Sequence, residues 1–153
     1  KSTLDKLQRP QADDSLSVSA ITWWARLQDR HAGSGIQWVE HLQGDAAVPS
    51  TMFDSIAENL LQNALSKRQH ESGIGISAQL TVDRSSPVFS VRDSGQAIVP
   101  EIAEALLRAP VPSASGLGIG LYHAARQAEE SGYALSLAEN LPGAVSFTLA
   151  PRN

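Results

Sequence analysis

The sequence predicts an α+β fold: a two-layer sandwich with a mixed, mostly antiparallel sheet of about five strands packed against about three helices. Three observations carry this. Strand-like stretches come in pairs separated by turn residues, and these pairs are interleaved with helical patterns instead of alternating with them one for one. The longest helical pattern, residues 50–69, carries one broad apolar arc, as a helix lying on a sheet requires. With 42% hydrophobic and 18% charged residues, the 153-residue chain fits one domain with a substantial core.

In chain order, residues 1–14 (KSTLDKLQRPQADD) are polar and broken by Pro10, and read as a linker with the frayed end of a preceding element. The domain proper is expected over 15–153. Because the chain opens on Lys1 and its one methionine is Met52, it is expected to be part of a longer protein. SLSVSA alternates like a strand and enters a helix, AITWWARLQDRHAG, which stops at Gly33 after a basic last turn. IQWVEHL (36–42) is a second strand, and GDAAVPS a turn-rich connector. STMFDSIAENLLQNALSKRQ is the strongest helix, with Thr51 and Asp54 spaced as a capping box. GISAQLTVDR and PVFSVRD form a hairpin that turns at Ser85 to Pro87. PEIAEALLR is a short helix opened by proline, APVPSASG a loop, and a further helix follows the glycines. YALSLAEN and AVSFTLA close the chain as a second hairpin about Pro142 and Gly143.

A net charge of −4 gives no basic footprint for nucleic acid or an anionic membrane, so any phosphate must be held by local geometry. The absence of cysteine excludes disulfides and thiolate metal sites and suits a reducing cytosol. No apolar run approaches the roughly 20 residues of a membrane helix. A cytoplasmic domain without direct membrane or nucleic-acid contact is expected.

Three stretches carry chemistry. SASGLGIGLYHAARQAEESG (113–132) sets three glycines at two-residue spacing against a helix start, where free N–H groups and the positive dipole end suit a phosphate. It lacks the lysine of the GxxxxGK[ST] loop, and Leu121 stands where GxGxxG needs glycine. A plain glycine-rich turn into a helix is the alternative. On the long helix, Phe53, Ile56, Ala57, Leu60, Leu61, Ala64 and Leu65 form the apolar arc at about 100° per residue. Asn59 and Asn63 stack on one edge of that arc, and Glu58 points toward the opposite edge. Amide oxygens there are hard neutral ligands suited to Mg²⁺, or else ordinary boundary residues. In VRDSGQAI (91–98) an apolar strand ends in Asp93, followed by Gly95; the carboxylate can accept from an exocyclic amine while the glycine leaves room for a flat ring. An Asx turn closing the strand is the competing reading.

In this order, with the closing strand FTLAP, the motifs resemble the ATP-binding domain of sensor histidine kinases, within the wider Bergerat-fold (GHKL) ATPases. The resemblance spans about residues 15–151, with NLLQNAL as its asparagine box and RDSGQAI and SGLGIGL as its two glycine boxes. It implies a Bergerat-type sandwich that binds ATP and Mg²⁺. Asn59 and Asn63 would be the catalytic and nucleotide-binding pair, with Asn63 on the metal. Asp93 would accept from the adenine amino group beside Gly95, and Ser115, Gly116, Leu117 and Gly118 would cradle phosphates. The chain departs from the pattern at Ala97 and Ala114, where glycine is usual. LLRAPV replaces a phenylalanine-containing box, Val145 replaces a threonine, and Lys67 stands where an aromatic often flanks adenine and could reach a phosphate instead.

Hydrolytic relatives carry a glutamate base four residues before the metal asparagine. Here that position is Asn59, and an amide takes no proton near neutral pH. The resemblance therefore implies transfer of the γ-phosphoryl group to a histidine on a separate dimerisation domain of the same protein, as a homodimer, and onward to a response regulator. None of His31, His41, His70 or His123 has an acceptor-like context. The alternatives are a non-catalytic interaction module of the same fold and an ATPase or serine kinase.

Overall fold

A computed structural model describes residues 17–110 and 117–152. Its elements run β1 (Ser17–Ser19), α1 (Ala20–Arg30), β2 (Gln37–Gln43), β3 (Ala47–Pro49), α2 (Ser50–His70), β4 (Ile76–Asp83), β5 (Ser86–Asp93), α3 (Pro100–Ala105), α4 (Leu117–Glu130), β6 (Tyr133–Leu141) and β7 (Ala144–Pro151). Five strands form one sheet in the order β2-β4-β5-β7-β6, and β1 pairs with β3 in a separate ribbon. Only β2 and β4 are parallel, because α2 crosses between them; the other neighbours are antiparallel. The expected mixed, mostly antiparallel five-stranded sheet is present. The described residues hold four helices, each at a stretch read as helical although the fold expectation is about three, and the short PEIAEALLR helix spans only Pro100–Ala105.

Period-two alternation sorts the sheet into two faces. Ile76, Ala78, Leu80 and Val82 of β4 are buried, while Ser77, Gln79 and Thr81 between them face out. On β5 the inward set is Pro87, Phe89, Val91 and Asp93. Asp93 is thus placed on the core face by register, at the end of its strand, and is 5% exposed.

The helices cover that face. From α2, Met52, Phe53, Ile56, Ala57, Leu60, Leu61 and Ala64 are buried, which is the expected arc, with Leu65 at its margin. α1 adds Trp23, Trp24 and Leu27. Trp23 meets Phe53 and Phe89 edge-on at 5.0 and 5.3 Å, so α1, α2 and β5 share one aromatic nucleus. No helix among the described residues is long and apolar enough to cross a membrane.

Four local expectations are corrected. The connector after β2 contains β3, whose Val48 is fully buried and pairs with Val18; three-residue strands are too short to show alternation. The Thr51–Asp54 capping box does not form: Pro49 caps α2 without a side-chain bond, and Asp54 instead accepts from Trp23 Nε1 at 2.8 Å and Arg30 at 3.2 Å. The β4–β5 turn is Arg84–Ser85, with Arg84 at φ 65°, and Pro87 already pairs with Val82. Helix α1 ends at Arg30, and a turn carries the chain to Gly33 at φ 82°. The linker segment 1–14 and the loop residues Ser115 and Gly116 lie outside the described residues.

Candidate nucleotide site

One edge of α2, the end of β5 and the start of α4 converge. Asn59 and Asn63 lie half-buried on that edge, beside the arc. Glu58 leaves toward the other side, where its Oε2 meets His31 Nε2 at 2.9 Å and Arg30 Nε at 3.4 Å. That carboxylate is therefore committed away from the asparagines.

The third glycine of the loop pattern meets Asn59. A Cβ on Gly120 would lie 2.6 Å from Asn59 Oδ1, so the missing side chain lets α4 close on α2. Of the three glycines this one serves helix packing. Leu117 and Gly118 open α4.

Around Asp93 the backbone is pinned from several elements. Asp93 Oδ1 accepts from Gly95 N at 2.9 Å, as the Asx-turn alternative expected. Ser94 N donates to Gly75 O at 3.0 Å, and Ser94 Oγ accepts from Gly75 N at 2.8 Å. Glu71 Oε1 accepts from Gln96 N at 3.1 Å, and Gly95 O accepts from Gly143 N at 2.9 Å. Asn140 grips both backbone groups of Ile98, accepting at 2.7 Å and donating at 2.8 Å. These bonds hold residues 93–98 in one conformation. Asn140, Glu71 and Gly75 went unnoticed in the sequence, since partners 19 to 42 residues away leave no local signature.

Lys67 Nζ lies 3.0 Å from Asp93 Oδ1 and donates to Gln96 O at 2.8 Å, so it faces the carboxylate, while the loop residues before α4 lie outside the described residues. The open space expected over Gly95 is also filled: a Cβ there would lie 2.7 Å from Ile74 Cδ1 and 2.8 Å from Lys67 Cε. Val145, where the pattern has threonine, is the cross-strand partner of Asp93 and is buried. A cleft of about 630 Å³ at this end of the sheet takes in Asp93, Ser94, Gly35 and Gly75 but not Asn59, Asn63 or Lys67.

The residues fit a hard cation only in a particular way. Among the described residues no group of three or more His, Cys, Asp or Glu could hold a metal ion. A divalent ion here would rest on neutral amide oxygens and on oxygens of its own ligand, as Mg²⁺ does with phosphates. Asn63, half-buried on the α2 edge, carries an amide oxygen of that kind, while the Asn59 amide is seated in the space where residue 120 lacks a Cβ.

The same arrangement of elements occurs in solved structures. The catalytic domain of histidine kinase ThkA, in a nucleotide-free form, superposes with a TM-score of 0.66 at 17% identity, over 89% of this chain and 95% of that one. The mycobacterial sensor histidine kinase MprB gives 0.63 at 22% identity, over 89% and 98%. This is the fold of a histidine kinase catalytic domain. Full-length ShkA in complex with AMPPNP gives 0.64 at 18% identity, the chain covering 28% of that protein. No family model and no curated protein matches the sequence. At these identities the kinase-type fold is shared, and the chemistry must be argued from this chain's own residues.

Proposed function

We propose that this chain is the ATP-binding catalytic domain of a two-component sensor histidine kinase, which presents the γ-phosphoryl group of ATP to a histidine on a separate dimerisation domain. The observation that carries the reading is Asp93: a carboxylate 5% exposed, set on the core face by strand register, fixed by the Gly95 N–H and meeting α2 at Lys67, four residues on from Asn63. A near-buried acceptor held this rigidly suits an exocyclic amine such as that of adenine.

On this reading Asp93 selects the base, and Asn63 would offer its amide oxygen to the metal on the phosphates, with Asn59 beside it. The Leu117 and Gly118 backbone, with Ser115 and Gly116 before it, meets the phosphates at the positive end of α4. Bound Mg²⁺ would neutralise phosphate charge. Asn59 takes no proton from water, and Glu58 is held by His31 and Arg30, so neither of these described residues serves as a hydrolytic base. The acceptor imidazole nitrogen must come from outside; it bonds to the γ-phosphorus as the bond to ADP breaks, in a homodimer whose phosphohistidine then serves a response regulator. The chain would act in the cytoplasm.

The test mixes the chain with labelled ATP, Mg²⁺ and a phosphoacceptor helical hairpin supplied as a separate polypeptide. Acid-labile, alkali-stable label on the hairpin is expected, lost with Asn63→Ala. Serine label on this chain, or steady phosphate release without the hairpin, would instead mark a serine kinase or an ATPase. One observation favours a non-catalytic interaction module: the Lys67 stem and Ile74 fill the space over Gly95.

A further inference from the structure

We propose that Lys67 is a built-in occupant of the nucleobase subsite, standing in for the base when no nucleotide is bound and leaving when one enters. The inference rests on the nucleotide reading above. Two independent contacts support it. Lys67 Nζ lies in ion-pair contact with Asp93 Oδ1 at 3.0 Å and donates to Gln96 O at 2.8 Å, setting a cationic N–H group before the carboxylate where an exocyclic amine would stand. Its Cε lies where a Cβ on Gly95 would come within 2.8 Å, so its stem packs over the glycine where a flat ring is expected. Head and stem together occupy both halves of the subsite.

The side chain has the means to leave. It stems from the last turn of α2, past the buried arc, and its side chain is 19% exposed while that of Asp93 is 5%. A four-carbon stem can swing without moving the helix. Ile74, whose Cδ1 crowds the same Cβ position at 2.7 Å, is an apolar neighbour that can stay and meet a ring. Once displaced, the ammonium gains a use: the phosphates of a nucleotide offer it a new anionic partner. Lys67 thus opposes the base and favours the phosphates, which makes the site discriminate against bases and nucleosides without phosphate groups.

Calorimetric titration of the chain with adenosine and with a non-hydrolysable ATP analogue plus Mg²⁺ separates these effects. Lys67→Ala is expected to bind adenosine about tenfold more tightly, the scale of a charge-assisted hydrogen bond no longer competing. Its gain for the ATP analogue should be smaller, because the phosphate partner is lost. Should Lys67→Ala fail to unfold cooperatively, the Lys67 Cε resonance of the wild-type chain, assigned by its absence in Lys67→Arg, is expected to shift on adenosine saturation. If the wild type binds the ATP analogue in an Asp93-dependent way, yet Lys67→Ala binds adenosine no more tightly or the resonance stays put, the inference fails and the nucleotide reading stands. If neither form binds any adenine ligand, both fall.

Discussion

Asn59 and Gly120 meet across the seam between α2 and α4, so closely that a Cβ on residue 120 would lie 2.6 Å from Asn59 Oδ1. Two motifs 61 positions apart in sequence are thereby one contact, and the asparagine is held at the start of the helix proposed to face phosphate.

That contact sets the effect of Gly120→Ala. Alanine in a helix gains up to about 1 kcal/mol over glycine. In the native background the gain is offset by displacing the Asn59 amide, and urea unfolding should show little net change. In an Asn59→Ala background the obstacle is gone, and Gly120→Ala should stabilise by about 0.5–1 kcal/mol. Equal effects in both backgrounds would mean that the two residues are not coupled.

Asp93→Asn should weaken adenine nucleotides by about 1–3 kcal/mol, the scale of a hydrogen bond to a charged group. Guanine nucleotides, which present a carbonyl where adenine has the amine, should be little affected. Competition titrations of both measure the difference, and equal losses would reduce Asp93 to a turn residue.

Glu58→Ala should leave nucleotide affinity and the slow background release of phosphate unchanged, because this carboxylate points to His31 and Arg30. Losing the half-exposed Arg30 pair and the part-buried His31 contact should cost about 1–2 kcal/mol of stability in thermal unfolding. A marked fall in phosphate release would reassign Glu58 as a base.

Asp45 sets an acid limit on the β1–β3 corner. The Ser19 hydroxyl, then the Ala46 N–H, hold its carboxyl below the usual carboxylate range. Since the folded-state value is the lower one, this stabilisation is present above the unfolded value, roughly pH 4, and is lost as pH falls through the folded one. Asp45→Asn should therefore lower stability at neutral pH and flatten its decline in acid. Parallel pH profiles for the two proteins would show that Asp45 contributes nothing.

Much of this was legible in the sequence because it is periodic. The α2 arc follows from 3.6-residue spacing and the two long hairpins from alternation flanked by turn residues, and these place the asparagine edge and the β5 end. What escaped was set by tertiary partners. β3 exists because β1 lies beside it, and Asp54 abandons the α2 cap because Trp23 Nε1 lies 2.8 Å away. Lys67 turns to Asp93 because β5 register buries a carboxylate that then requires a partner. No local pattern in the chain announces any of the three.

The central claim, a Mg²⁺-dependent ATP site on the edge of α2, is tested most directly by calorimetric titration with a non-hydrolysable ATP analogue, with and without Mg²⁺, on the wild type and Asn63→Ala. The account expects one saturable site in the wild type, tightened by Mg²⁺. Asn63→Ala should lose the Mg²⁺-dependent part while unfolding as cooperatively as the wild type, since Asn63 is half-buried and not a member of the core. No binding by the wild type, or equal binding with and without Mg²⁺, would contradict it.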